Sequence, residues 1–170
     1  IYNGACKKSS LKMKRTFDFF VSLLGLIFLS PIIFFFCCLV WLQDYNFPFY
    51  HAVRIGRNGK AFTMVKLRSM VQKADEKGGE STSKQDPRIT PVGRLIRRYK
   101  LDELTQLWNV LRGDMSLVGP RPNTKQGTSV YTKEELKLLE IRPGITDFSS
   151  IVFSDEGDIL SQSIDPDKDY

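Results

Sequence analysis

The feature that most constrains this chain is an uncharged apolar run of about 24 residues, from Phe19 to Leu42. As an α-helix it would be about 36 Å long, which is enough to cross the hydrocarbon core of a bilayer. Ser30 and Pro31 stand near its middle. Because proline removes a backbone donor and clashes with the carbonyl four residues earlier, the sequence predicts a break or kink there. The Ser30 hydroxyl can then bond the carbonyl that the proline leaves unpaired.

Both flanks of the apolar run are basic. The cations of the two flanks are Lys7, Lys8, Lys12, Lys14 and Arg15 before it, and Arg54, Arg57 and Lys60 after it. Since positive residues mark the cytoplasmic side, this symmetry favours a helix that dips into the membrane and returns, whereas length alone favours a spanning anchor. Charge and proline leave both courses open. The cluster that precedes the run is expected to contact anionic lipid headgroups.

Composition argues against several other classes of protein. The formal net charge is +6, but the aromatic residues gather near the apolar run and do not alternate with the cations, so a nucleic-acid partner is not expected. Cys6, Cys37 and Cys38 form no CxxC pair, and the single His51 leaves no zinc site. The cysteines therefore indicate a reducing compartment without disulfides.

The remaining sequence predicts a small, mainly α domain with one β-hairpin, an α+β fold. Asn58-Gly59 is typical of a type I′ turn, which places the hairpin at about residues 52–67. A polar loop is expected at about 72–90, and helical patterns follow at 91–112, in two pieces, and at 132–142. We expect two parts: residues 1–45, the basic N-terminus and membrane helix, and residues 46–170, a compact domain on the cytoplasmic side with amphipathic surface helices.

Asp102 and Glu103 are the first candidate catalytic residues. They lie where a helix is predicted to begin, so both carboxylates can reach one ligand near the helix end. Acids in a first helical turn are also ordinary stabilisers of a helix, and the pair alone does not decide between the two readings.

A set of cations accompanies this pair. Arg121 stands between Pro120 and Pro122, a rigid frame that a solvated arginine does not need. The other cations near the acids in sequence or after the hairpin are Lys66, Arg68, Arg94, Arg97, Arg98 and Lys100. Arginine forks bind phosphate oxygens, a carboxylate can be a covalent nucleophile, and Mg²⁺ takes carboxylate and phosphate oxygens as ligands. The residues therefore indicate phosphoryl chemistry at a bilayer surface, without naming the substrate.

The order of these motifs resembles the bacterial sugar transferases, a family of monotopic phosphoglycosyl transferases. The resemblance extends from about Lys14 to Thr146. It is carried by KRTFD, LSP, GKAFTMVKLRSM, DPRITPVGRLIRRYKLDELTQLWNVLRGDMSLVGPRP and RPGIT.

The resemblance implies transfer of a sugar-1-phosphate from a UDP-sugar to a polyprenyl phosphate (undecaprenyl phosphate), with release of UMP and a covalent phosphosugar intermediate. By that resemblance Asp102 is the nucleophile and a magnesium ligand, and Glu103 is its partner in metal binding or proton handling. The implied phosphate- or substrate-binding residues are Lys66, Arg68, Arg97, Pro120, Arg121 and Pro122.

The resemblance also implies a re-entrant first helix, broken at Ser30-Pro31, on the cytoplasmic face of the bacterial inner membrane. The chain is expected to be the small catalytic form, acting in exopolysaccharide or other glycoconjugate assembly. It departs from many relatives after Gly144, where residues 145–150 read ITDFSS, so the sugar stays open. Two rivals are a membrane-anchored scaffold and a UDP-releasing glycosyltransferase.

Overall fold

The computed structural model describes residues 4–74 and 86–147, and for residues 4–10 it describes the backbone alone. The described residues leave out most of the polar loop predicted at residues 72–90 and the chain after Asp147. They also leave out the side chains of Lys7 and Lys8. Predictions that concern them stay predictions.

Helix α1 extends from Gly4 to Asp44. Its segment from Leu11 is long and apolar enough to cross a membrane, judged by length and composition. The Ser30 hydroxyl donates to Ile27 O at 2.8 Å, the carbonyl four residues before Pro31, which confirms the predicted compensation. The helical assignment continues through Pro31, so the expected break does not interrupt the secondary structure. The re-entrant course stays a prediction.

The predicted hairpin is confirmed. Strand β1 (Phe49–Ile55) pairs antiparallel with β2 (Ala61–Leu67), with Ile55 opposite Ala61. Asn58 has φ 59° and ψ 28°, and Gly59 has φ 71°, the left-handed conformation that a type I′ turn requires at both positions. A local turn signal therefore sets the register of the two strands.

The helical region after the loop differs in part from its prediction. Helix α2 (Pro91–Arg98) ends before Lys100, which has φ 52°. A 3₁₀ helix, Leu101–Gln106, then leads into α3 (Leu107–Arg112), which Gly113 ends at φ 91°. A single α-helix over 101–112 was expected. The first half is instead wound more tightly, and side chains from both halves bind the backbone of β2, as described below.

A second, parallel pair of strands was not predicted. Strand β3 (Ser116–Val118) pairs with β4 (Gly144–Thr146), and between them lie α4 (Lys125–Ser129) and a 3₁₀ helix, Glu135–Glu140, where the sequence predicts an α-helix. A methyl group built on Gly119 would lie 2.4 Å from Arg142 O. This close backbone approach explains why glycine follows β3.

The core consists of two clusters under the hairpin. One joins Ala52 and Met64 to Val110 and Met115. The other joins Leu67 and Ile96 to Val40 of α1. The long helix is thus packed into the domain near its C-terminal end, while Phe28 and Phe34 near its middle are 76% and 71% exposed.

Polar contacts attach α1 to the domain at both ends of its apolar run. Near the N-terminal end the buried Asp18 carboxylate accepts from the Ser116 hydroxyl at 2.8 Å, and Arg15 donates to Val110 O and Leu111 O, two carbonyls in the last turn of α3. At the other end the Asp44 carboxylate accepts two hydrogen bonds from Arg68, at 2.5 and 2.6 Å. Both ends of the run therefore contact the same domain.

Candidate active site

The free edge of β2 is covered by two side chains of the helical segment. The Asn109 amide donates to Thr63 O at 2.7 Å and accepts from Val65 N at 3.0 Å, while the Thr105 hydroxyl donates to Val65 O at 2.9 Å. These side chains pair with the strand as a third strand would, and so satisfy backbone groups that an open edge leaves unpaired. The Thr105 hydroxyl also lies 3.1 Å from Asp102 O. The start of the 3₁₀ helix is therefore held beside the end of β2.

This arrangement brings Lys66 to the acid pair. The Lys66 ammonium lies 3.8 Å from the Asp102 carboxylate, and both side chains are mostly buried. Burial lowers the pKa of Lys66, while Asp102 and Glu103 oppose that shift. Burial, reinforced by Asp102, raises the pKa of Glu103, and Lys66 and Arg121 act in the opposite direction. Glu103 therefore takes up a proton at a higher pH than an exposed glutamate does.

Arg97 approaches the acids from the last turn of α2. Its Nε donates to the Ser69 hydroxyl at 3.0 Å. Burial lowers the pKa of the guanidinium, and Asp102 and Asp86 oppose that shift, which places Arg97 within electrostatic reach of both carboxylates. Within residues 4–74 and 86–147, its two terminal nitrogens make no hydrogen bond or ion pair. The open end of the fork can therefore bind a ligand.

Arg121, in the segment after β3, lies within electrostatic reach of Glu103 and Lys66. Its backbone N–H donates to Asp147 at 3.3 Å, and its side chain is exposed between the half-buried Pro120 and Pro122. It helps to lower the pKa values of Lys66 and of Glu103. The resemblance assigns four cations to phosphate or substrate binding. The structure brings three of them, Lys66, Arg97 and Arg121, near the acid pair.

Arg68 is the predicted cation that lies elsewhere. It follows the last residue of β2, is 6% exposed, and uses its guanidinium to bind Asp44 and Phe47 O. Its contacts join the end of α1 to the hairpin. The basic pair Lys66 and Arg68 is therefore divided between the acid pair and α1.

Sequence reasoning missed three residues around the site. Asn109 and Thr105 are buried polar residues, four apart, among the leucines of the predicted helix; that placement was the available signal. No role was predicted for Thr105, yet its hydroxyl joins the 3₁₀ helix to β2. Arg54 was identified only as a basic residue after the apolar run, and the structure places it near enough to lower the pKa of Lys66.

The donor set of the acid pair is compatible with magnesium. Asp102 and Glu103 supply carboxylate oxygens, the ligands this ion prefers, and no third acidic, histidine or cysteine side chain joins them within the described part of the chain. Mg²⁺ commonly takes one or two protein carboxylates and completes its shell with water and substrate phosphate. The raised pKa of Glu103 arises partly from Asp102, and a divalent cation would relieve that repulsion.

Comparison with known proteins gives a consistent result. Residues 9–170 match the sequence model of the family described as bacterial sugar transferase. The undecaprenyl-phosphate galactose phosphotransferase of Salmonella typhimurium is 41% identical over 164 residues, which cover 86% of this chain and 34% of that protein. The exopolysaccharide production protein ExoY of Rhizobium meliloti is 37% identical over 158 residues, 84% of this chain and 70% of its own length.

A third relative carries a different sugar in its name. The undecaprenyl-phosphate glucose phosphotransferase of Komagataeibacter xylinus is 39% identical over 145 residues, which cover 81% of this chain and 27% of that protein. The chain thus spans about a third or less of the two relatives named as phosphotransferases. These relatives agree on undecaprenyl phosphate and differ in the sugar.

Proposed function

The chain belongs to the bacterial sugar transferase family, and we propose that it transfers a sugar-1-phosphate from a UDP-sugar to undecaprenyl phosphate or a similar polyprenyl phosphate, releasing UMP. The observation that carries this proposal is the mostly buried Asp102, 3.8 Å from Lys66, with Arg97 within electrostatic reach of Asp102 and Arg121 within electrostatic reach of Glu103. Two relatives are named for the same kind of transfer.

In the proposed first step, an Asp102 carboxylate oxygen attacks the phosphorus that bears the sugar. The bond from that phosphorus to the bridging oxygen breaks, and UMP leaves with the electron pair. Arg97 and Arg121 bind the phosphate oxygens as negative charge shifts toward the leaving group. The sugar phosphate is then held on Asp102 as an acyl phosphate.

In the second step, a phosphate oxygen of the lipid acceptor attacks the same phosphorus. The bond to Asp102 breaks, and the carboxylate is restored beside Lys66. Glu103, whose pKa burial raises, is placed to hold a proton in this region. Mg²⁺ held by Asp102 and Glu103 would neutralise diphosphate charge when bound.

The proposal extends to the membrane. Asp18 and Asp44, at opposite ends of the apolar run of α1, both bind the one catalytic domain, so a bilayer that separated the two ends of that run would have to break one of these contacts. This supports a re-entrant helix and a monotopic protein on the cytoplasmic face of the inner membrane. Single cysteines at positions 3 and 58, in a chain freed of its native cysteines, should be labelled from the same side in cells. Labelling from opposite sides would refute the re-entrant course.

The reaction is tested by measuring nucleotide release from several UDP-sugars with undecaprenyl phosphate and Mg²⁺. We expect UMP, and Asp102→Asn should reduce its release at least a thousandfold, since amides are poor nucleophiles. Glu103→Gln should also lower UMP release, and Glu134→Gln, which changes an exposed acid, is its matched control. Release of UDP would identify a glycosyltransferase, and full activity in Asp102→Asn would remove the assigned nucleophile. A scaffold would show no release with any donor.

A further inference from the structure

Among the described residues, the Arg97 side chain makes one hydrogen bond, and this bond orients it. Its Nε donates to the Ser69 hydroxyl at 3.0 Å, and this bond leaves the two terminal nitrogens free of protein partners among the described residues. A guanidinium is planar, so a bond at Nε limits the direction in which the open fork points. The contact therefore determines where phosphate oxygens can be bound.

Ser69 is itself held in place by burial and by backbone contacts to α2. It is 8% exposed, and its carbonyl accepts from Thr90 N at 3.1 Å, at the beginning of α2. A methyl group built on Gly93 would lie 1.8 Å from Ser69 O, so the first turn of α2 packs directly on the Ser69 backbone. Arg97 leaves the same helix one turn later. The backbone of Ser69 thus positions α2, and its hydroxyl positions the arginine.

From these contacts we propose that Ser69 is a positioning residue for catalysis: its hydroxyl orients the Arg97 fork toward the phosphate of the sugar donor. This inference rests on the proposed function, because it assigns the diphosphate of a nucleotide sugar as the ligand of that fork. Ser69 itself touches no reacting atom. The Ser69 hydroxyl acts on the reaction only through the orientation of Arg97.

Removing the hydroxyl should weaken substrate binding without unfolding the site. In Ser69→Ala the backbone contacts to α2 persist, and the Arg97 side chain regains rotameric freedom that donor binding must remove. We expect about a tenfold fall in kcat/KM for the UDP-sugar, seen mainly as a higher KM. KM for the lipid acceptor should stay within about twofold. Ser69→Thr retains a hydroxyl and should restore most of the loss.

A double-mutant cycle separates positioning from a general structural effect. Arg97→Lys removes both Nε and the fork, so Ser69→Ala should cost nothing further in that background. Thermal unfolding of each variant supplies a readout independent of catalysis. An equal tenfold loss in both backgrounds, or an unchanged kcat/KM in Ser69→Ala, would overturn the proposal.

Binding of UDP distinguishes failure of this inference from failure of the proposed function. If the wild-type chain released no UMP with any donor, the proposed function would fail, yet titration calorimetry with UDP and Mg²⁺ would still test the role of Ser69. Ser69→Ala should then bind UDP about tenfold more weakly, and Ser69→Thr should bind it nearly as well as the wild type. Equal affinities in all three proteins would refute the orienting role.

Discussion

Replacing Asn109 by alanine should destabilise the protein by about 3 kcal/mol. Asn109 is fully buried and binds Thr63 O at 2.7 Å and Val65 N at 3.0 Å. The Val65 N–H would lose its partner beneath α3, at a cost of about 1–2 kcal/mol, whereas the carbonyl of the exposed Thr63 can regain a water for about 0.5–1 kcal/mol. The space left by the amide adds about 1 kcal/mol.

The prediction is measured as a change in melting temperature of the purified protein in detergent or nanodiscs. At about 2–4 °C per kcal/mol for a chain of this length, Asn109→Ala should melt about 6–12 °C lower than the wild type. Asn123→Ala, which removes an exposed amide whose side chain bonds Tyr131, is the control and should shift the midpoint by less than about 2 °C. A shift of under 2 °C in Asn109→Ala would refute the claim that this side chain closes the edge of β2.

Two further substitutions test the Asp44–Arg68 ion pair and the pKa of Glu103. Asp44→Asn removes the charge partner of the buried Arg68, so we expect a loss of about 2–3 kcal/mol in urea unfolding; an unchanged midpoint would mean that the pair adds nothing. Lys100 lowers the pKa of Glu103, which burial has raised, so Lys100→Gln should raise it further. Activity that needs ionised Glu103 should then fall at a higher pH during acidification, while the exposed Lys60→Gln should leave the profile of kcat/KM unmoved. No difference between these two variants would exclude Glu103 as the group on the acid limb.

Local signals in the sequence predict the local structure well. The Asn58-Gly59 turn depends on two adjacent residues in a left-handed conformation, and the structure has both. The bond from Ser30 to Ile27 O likewise follows from the backbone chemistry of one proline. Such features need no information from distant residues, because their causes lie within four positions of one another.

Features that depend on distant residues were missed. The pairing of β3 with β4 joins segments about 28 residues apart, and three-residue strands carry no readable alternation. The 3₁₀ winding of Leu101–Gln106 accompanies contacts to β2 through Thr105, and the apolar spacing of that segment is also compatible with an α-helix. The separation of Arg68 from the acid pair also depends on a distant residue. Strand β2 ends at Leu67, and Arg68 binds Asp44, which lies 24 positions earlier in α1.

The membrane helix is part of the catalytic geometry as well as an apolar surface. Asp44 binds Arg68, two residues beyond Lys66, and Asp18 binds Ser116 in β3, the strand that leads to Pro120 and Arg121. Each end of the apolar run of α1 is therefore attached within a few residues of Lys66 or Arg121, two of the cations near the acid pair. A displacement of either end relative to the domain would alter the separation of Lys66 and Arg121 from Asp102. In the proposed reaction, the contacts that hold α1 against the domain lie beside the segments that carry the phosphate-binding cations, so a change in how α1 sits in the bilayer would also move those cations.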